Sequence, residues 1–578
     1  MTGPAAPKDP EKARPFFYIL KDKDIFGERQ KDGTGIQFIY ESDGRLINSA
    51  QITGNVTDKE ELTLLETVEG FGRLVHSIGV SVETDRPEET AEFVFQMYGK
   101  KDLYGGGTNL TASLKCDGME HRIYLSDYRW TEDDHVPGQI KILFAAPERM
   151  GKVSVRLFLN DGYEAPPEEE DLVIDMHSEE YCGMISRSLL QLGNPYRIRK
   201  AIEKSKAGKE VTLAYIGGSI TQGAGAIPIH TECYAYKSFQ LFQNRFSTQN
   251  NVRFIKAGVG GTPSELGMIR FDRDVLREEE RPDIVVIEFA VNDEGDETKG
   301  VCYESLVRKV LKLPWKPAVV LLFSVFANDW NLQERLRPVG DLYDLPMVSI
   351  RDAVTPQFSL KCGEGRILSK NQFFYDIFHP NNIGHTIMAD CLQYLFECCD
   401  AAEPARVGTF VEGMTEEQIL SEKLSGPAVI GADFERIFLL DKKNRYVGAK
   451  IRTGSFTSTD IGLQSVEMDG NLTQTPEFPY NWMYDGSRLQ MPGFEMEITC
   501  KSLFLIFKDS GEMDVGKANV FVNDVYCMTA DPHKNNWLHC NAVLLFWETE
   551  SRSHKVRIAV TEEDRNKKFT ILGFGYTI

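Results

Sequence analysis

Four short segments hold residue types that together can carry out acyl transfer. Ser219 stands in "GGSIT", directly after the apolar run "VTLAYI". A glycine-rich turn, "KAGVGGTPS", occupies residues 256–264, and "IEFAVNDEG" places Asn292 just past another apolar run. Far downstream, "YDIFHPNNIGHTIMAD" holds Asp376 and His379, three positions apart. A serine hydroxyl is a weak nucleophile until a base takes its proton, and the base needs a partner that fixes its tautomer. His379 fits the base and Asp376 the orienter, because two residues of one turn can present their side chains to one site. Asn292 can donate its amide to a developing oxyanion. Backbone N–H groups of Ser219 and of a glycine within 258–261 can complete the hole. Glycine-rich turns also cradle phosphates, but this one lacks the lysine of a P-loop, and "GGSITQGAG" matches G-x-G-x-x-G poorly.

These residues need a frame that brings them to one edge. Unbroken β-branched runs at 211–217, 252–258, 283–291, 317–326 and 346–351 read as strands buried on both faces. The spacing between them leaves room for crossover helices, so the expected frame is α/β, a parallel sheet with helices on both sides. In such sheets ligands bind beyond the C-terminal strand ends, where Ser219 and Asn292 stand. The stretch "SRSLLQLGNPYRIRKAIEKSK" before the first strand reads as helical. Residues 1 to about 175 read as all-β, from "GIQFIYES", "AEFVFQMY", "HRIYLSDY" and "KVSVRLFL", with "APPEEEDL" as the closing linker. Beyond about residue 405, "ERIFLLD", "SLFLIFKD", "ANVFVNDVY", "AVLLFWET", "HKVRIAVTE" and "FTILGFGYTI" read as separate strands of a second sandwich. The expected domains are 1–178, 179–403 and 404–578, in line with roughly 100–200 residues per domain.

Serine, glycine, asparagine and a D-x-x-H pair, in this order, resemble the SGNH or GDSL-like hydrolase superfamily, of the carbohydrate acetylesterase type. The resemblance implies a flavodoxin-like three-layer sheet. It makes Ser219 the nucleophile, with His379 as base and Asp376 as its partner, and it implies an oxyanion hole of Ser219, Gly261 and Asn292. Gly260 stays open as the alternative to Gly261. Two positions depart from the family pattern: Gly218 replaces its usual Asp, and Lys256 stands where Asn is frequent. The function implied is removal of O-acetyl groups from xylan- or mannan-type oligosaccharides, with no metal or organic cofactor. A lipid esterase or thioesterase of the same superfamily is one rival. A carbohydrate-binding protein without catalysis is the other.

Composition bounds the partners. The net charge of −21, from 86 acidic against 65 basic residues, disfavours nucleic acid and anionic membranes. Apolar runs such as "AVVLLFSVFA" are half the length a membrane span needs. The segment "MTGPAAPKDPEKARPFF" lacks the apolar stretch of a secretory leader, and the eleven cysteines are scattered, both of which point to the cytoplasm. Oligomeric state stays open, a homo-oligomer included. For sugar recognition, flat aromatic faces are the candidates. Trp330 lies at a strand end, while Trp482 and Trp537 lie in loop-like segments; Trp330 and Trp482 are the expected substrate contacts. His385 reads as a packing or capping residue, His230 as a surface histidine, and Asp293 and Glu294 as a solvated acidic turn.

Overall fold

The computed structural model describes residues 9, 12–39, 45–101, 105–168, 170–402, 414–487 and 492–578. Its centre is a six-stranded sheet of β1 (Leu189–Gln191), β2 (Val211–Gly217), β3 (Val252–Gly258), β4 (Ile284–Glu288), β5 (Ala318–Phe323) and β6 (Met347–Ser349). The spatial order is β1-β6-β5-β4-β2-β3. All pairings among β2 to β6 are parallel, and their order is the 2-1-3-4-5 of flavodoxin-like sheets. The order reverses at β2, whose neighbours are β3 and β4, so ligand space opens beyond the C-terminal ends of these strands.

Unbroken apolar sequence is what this position demands. Val211, Leu213 and Tyr215 of β2 belong to one buried cluster, with Ile284 and Val286 of β4. Ala214 and Ile216 belong to another, with Val285 and Ile287. Alternate residues therefore fill opposite layers, so both faces of the sheet are covered. The second cluster runs on into Phe434, Leu463, Phe504 and Cys540, so the C-terminal sheet is one wall of the central core.

The helical reading of residues 186–206 is corrected. A helix, Glu179–Ser186, stops first, β1 then pairs antiparallel with β6, and a second helix spans Tyr196–Lys206. Gly193, at φ +57°, and Pro195 break the run. The N-terminal part holds two antiparallel sheets of four and five strands, whose residues share one core. The pattern predicts strands throughout, but helices stand at Arg45–Ile52, Lys59–Leu64 and Val68–Leu74. Asp58 and Thr67 cap the latter two through their side chains, and Leu62, Phe71 and Leu74 pack into the shared core.

The C-terminal part contains an eight-stranded sheet. "AVLLFWET" and "HKVRIAVTE" are not separate strands but two halves of one, His539–Val560. Both halves pair with Phe494–Asp509, and the register slips between Cys500 and Ser502, so the polar stretch between them bends the strand without ending it. Among the described residues, no helix is long and apolar enough to cross a membrane.

Candidate active site

Ser219 opens a one-turn helix, α1 (Ser219–Gln222), directly beyond β2. The turn is pinned from below. The Thr221 hydroxyl donates to Glu288 Oε2 (3.1 Å) and accepts from Tyr234 (2.8 Å). Glu288 ends β4 and is fully buried, which pushes its carboxyl up to about 7. Lys256, also fully buried, donates to the Gln222 carbonyl at the far end of the turn (2.7 Å). Gly218 has no space for a side chain, since a methyl there would lie 2.3 Å from Asn292 Oδ1. Asn292 thus stands side by side with the residue before Ser219, at the adjacent strand end.

Asp376 and His379 share one tight loop, closed by Tyr375 N–H donating to His379 O (2.8 Å). Asp376 is buried at 6 % exposure. Its Oδ1 accepts the N–H groups of Phe378 (2.8 Å) and His379 (2.9 Å), and its Oδ2 lies 2.9 Å from His379 Nδ1. His379 Nε2 is 3.0 Å from Ser219 Oγ. With Nδ1–H donating to the carboxylate, Nε2 is left to accept the serine proton, within the range that proton transfer needs. The loop is braced by Lys23, from the N-terminal strand Phe16–Phe26, which donates to Phe374 O (2.5 Å) and Asn371 O (3.0 Å). Burial pushes the Lys23 ammonium down to about 8, against the partial offset of Asp171, Asp24 and Asp376.

The two glycines of the second segment differ. The Gly260 N–H donates to Gln222 Oε1 (3.0 Å) and its carbonyl accepts from Gln464 Nε2 (3.0 Å). The Gly261 N–H has no partner among the described residues. Gly261 has φ +70°, and the indole of Trp537 covers it so closely that a methyl would lie 2.5 Å from the ring. Trp537 stacks on His539 (4.5 Å) and keeps 45 % exposure.

Trp330 stacks on Phe326 (5.7 Å), Phe326 meets Phe378 (5.0 Å), and Phe378 meets His379 (6.1 Å), so an aromatic row runs to the histidine. Trp482 is corrected: it is only 4 % exposed, paired with Ile571 in a three-residue strand, and packed on Phe494 and Phe574. Its polar sequence neighbours belong to the strand's flanks, while its own side chain faces the core. Asp293 is also corrected. It is buried, accepts the Ser264 N–H at the start of α2 (Ser264–Phe271; 2.7 Å), and burial pushes its carboxyl up to about 8. His385 packs as a neutral ring. Its Nδ1 accepts from Tyr234 N–H, its Nε2 donates to Ala224 O, and burial pushes it down to about 3. His230 is half-buried, and burial lowers it as well.

Sequence reasoning missed Lys23, Glu288 and Gln464. For Glu288 a signal existed, a single carboxylate closing the run "IVVIE". For Lys23 and Gln464 there was none, since each reaches the site from another part of the chain.

Comparison with known proteins adds to this geometry. Residues 215–387 match the GDSL-like Lipase/Acylhydrolase family. No curated protein matches the chain in sequence. Among solved structures, a two-domain esterase (CEX) active on acetylated mannans is similar at TM-score 0.54 and 23 % identity, over 68 % of this chain and 98 % of that one. A two-domain esterase (CEX) active on acetylated mannans, co-crystallised with mannopentaose, gives TM-score 0.53 and 24 % identity over the same shares. At these identities the likeness is one of fold. The match to the GDSL-like Lipase/Acylhydrolase family is confined to residues 215–387, the stretch that carries Ser219, Asn292, Asp376 and His379.

Proposed function

We propose that this chain is a serine esterase that removes O-acetyl groups from acetylated plant-type oligosaccharides, xylan- or mannan-derived. One observation carries the reading: His379 Nε2 lies 3.0 Å from Ser219 Oγ while its Nδ1 lies 2.9 Å from Asp376. In this reading Ser219 attacks the ester carbonyl as His379 takes its proton. His379 then passes that proton to the departing sugar hydroxyl, and Asp376 stabilises the imidazolium. The N–H groups of Ser219 and Gly261 and the Asn292 amide hold the oxyanion; the Gly260 N–H is engaged by Gln222, which favours Gly261. Water, activated by the same histidine, releases acetate from the acyl-enzyme.

Support for a carbohydrate ester comes from the fold shared with an esterase active on acetylated mannans. The half-exposed Trp537 beside Gly261 and the aromatic row from Trp330 to His379 offer faces for sugar rings. The same reading sets the domains at 1–178, 179–403 and 404–578, with β-sandwiches on either side; the core shared by the two N-terminal sheets supports it. The test is mass spectrometry of acetylated manno-, xylo- and cello-oligosaccharides before and after treatment. Acetyl loss that Ser219→Ala abolishes is expected; intact acetyl groups on every oligosaccharide would refute the substrate assignment.

A further inference from the structure

We infer that Gln464, in the C-terminal part of the chain, is a positioning residue for the oxyanion hole; the inference rests on the esterase reading. Gln464 is 8 % exposed and anchored within its own region, its Oε1 accepting from Cys540 N–H (2.9 Å) and its carbonyl from Glu477 N–H (2.8 Å). From there its Nε2 donates to the Gly260 carbonyl (3.0 Å). That carbonyl and the Gly261 N–H belong to one peptide unit. A peptide is planar and trans, so its C=O and N–H point in opposite directions. Holding the Gly260 oxygen therefore aims the Gly261 N–H the other way. The bond to the oxygen also polarises the N–H, since hydrogen bonds in series reinforce one another.

The neighbouring peptide is held as well. Gly260 N–H donates to Gln222, on the turn that carries Ser219. The glycine loop is thus suspended between the helical turn of the serine and the C-terminal sheet. Glu297 accepts from the Leu544 N–H, and Asp469 accepts from Lys256 N–H (2.9 Å), so the C-terminal part also holds β3 and the loop that follows β4. On this geometry the C-terminal part is built into the catalytic device, beyond any binding of glycan it carries out.

The experiment uses the full chain and nitrophenyl acetate, which is too small to need a sugar platform. Gln464→Glu keeps the acceptor for Cys540 and loses the donor to Gly260; Gln464→Met loses both without adding charge. A misplaced oxyanion donor acts on the transition state alone. Both variants are expected to lose roughly ten- to a hundred-fold in kcat, with KM within about two-fold. Binding of a boronic acid that forms a tetrahedral adduct should weaken by a similar factor. Wild-type kcat in Gln464→Met, or a raised KM at unchanged kcat, would overturn the inference. Ser219→Ala separates the two levels: if it is inactive while the Gln464 variants are normal, only the positioning role falls. If Ser219→Ala is itself fully active, the esterase reading falls.

Discussion

Replacing Asp376 by Asn tests how the loop geometry sets the protonation of His379. Asp376 Oδ1 accepts two backbone N–H groups, from Phe378 and His379, at 2.8 and 2.9 Å. An asparagine must keep its oxygen there, because its NH2 would face two donors. The NH2 is then turned to His379 Nδ1, which must accept where it now donates. The ring proton moves to Nε2, the atom 3.0 Å from Ser219 Oγ, and the histidine can no longer take the serine proton. Loss of the correct tautomer in a triad costs about 10⁴ in kcat, or about 5.5 kcal/mol. The two backbone bonds survive, so the melting temperature should change little. The assay is kcat on nitrophenyl acetate at saturating substrate, beside a thermal melt. A folded Asp376→Asn that keeps more than about a tenth of wild-type kcat would show that Asp376 does not set the tautomer of His379.

If Asn292 donates to the oxyanion as proposed, Asn292→Ala should lower kcat about 10²–10³-fold at nearly constant KM, read in the same assay. Glu288 has its carboxyl raised from 4.5 to about 7 by burial. The folded state therefore holds that proton more tightly than the unfolded chain. The stability this gives is complete below about pH 4.5 and lost as pH rises through 7, about 3 kcal/mol in all. In Glu288→Gln this loss disappears, so the melting temperature of the variant should gain on that of the wild type between pH 5 and 8; parallel curves would contradict it. Trp482→Ala should cost about 3–5 kcal/mol of stability by emptying a packed core site, as denaturant unfolding would report. Trp330→Ala should raise KM about five-fold for acetylated oligosaccharides and leave nitrophenyl acetate hydrolysis alone.

The central sheet was legible because its inner strands are buried on both faces and so carry apolar, β-branched runs; β3, at the sheet edge, is broken by Arg253 and Lys256. Each run located in the sequence contains an observed strand, from Val211–Gly217 to Met347–Ser349. Ser219 and Asn292 were legible for a related reason, and Asp376 and His379 through their three-residue spacing just before a helix. Polar residues that abruptly end apolar strands collect at one rim of a parallel sheet. What was hidden depends on partners distant in sequence. Nothing near Lys23 announces that its ammonium will brace the loop of Asp376, and nothing near Gln464 points to Gly260. Asp293 looks solvated among Glu294, Asp296 and Glu297, yet the Ser264 N–H draws it inside. The segment 548–551 has the polarity of a turn, but the pairing on both sides with Phe494–Asp509 keeps its strand continuous. Local pattern reports burial and turn chemistry; it carries little about which distant group will satisfy a buried polar atom.

In the proposed mechanism Ser219 is the group that is acylated. The most direct measurement is peptide mass spectrometry after treatment with a serine-directed phosphonate, with residual acetate release followed in parallel. A single adduct on Ser219, growing in step with the loss of activity, is expected. An active enzyme whose label sits on another residue, or one that is inactivated while Ser219 stays unmodified, would contradict that mechanism.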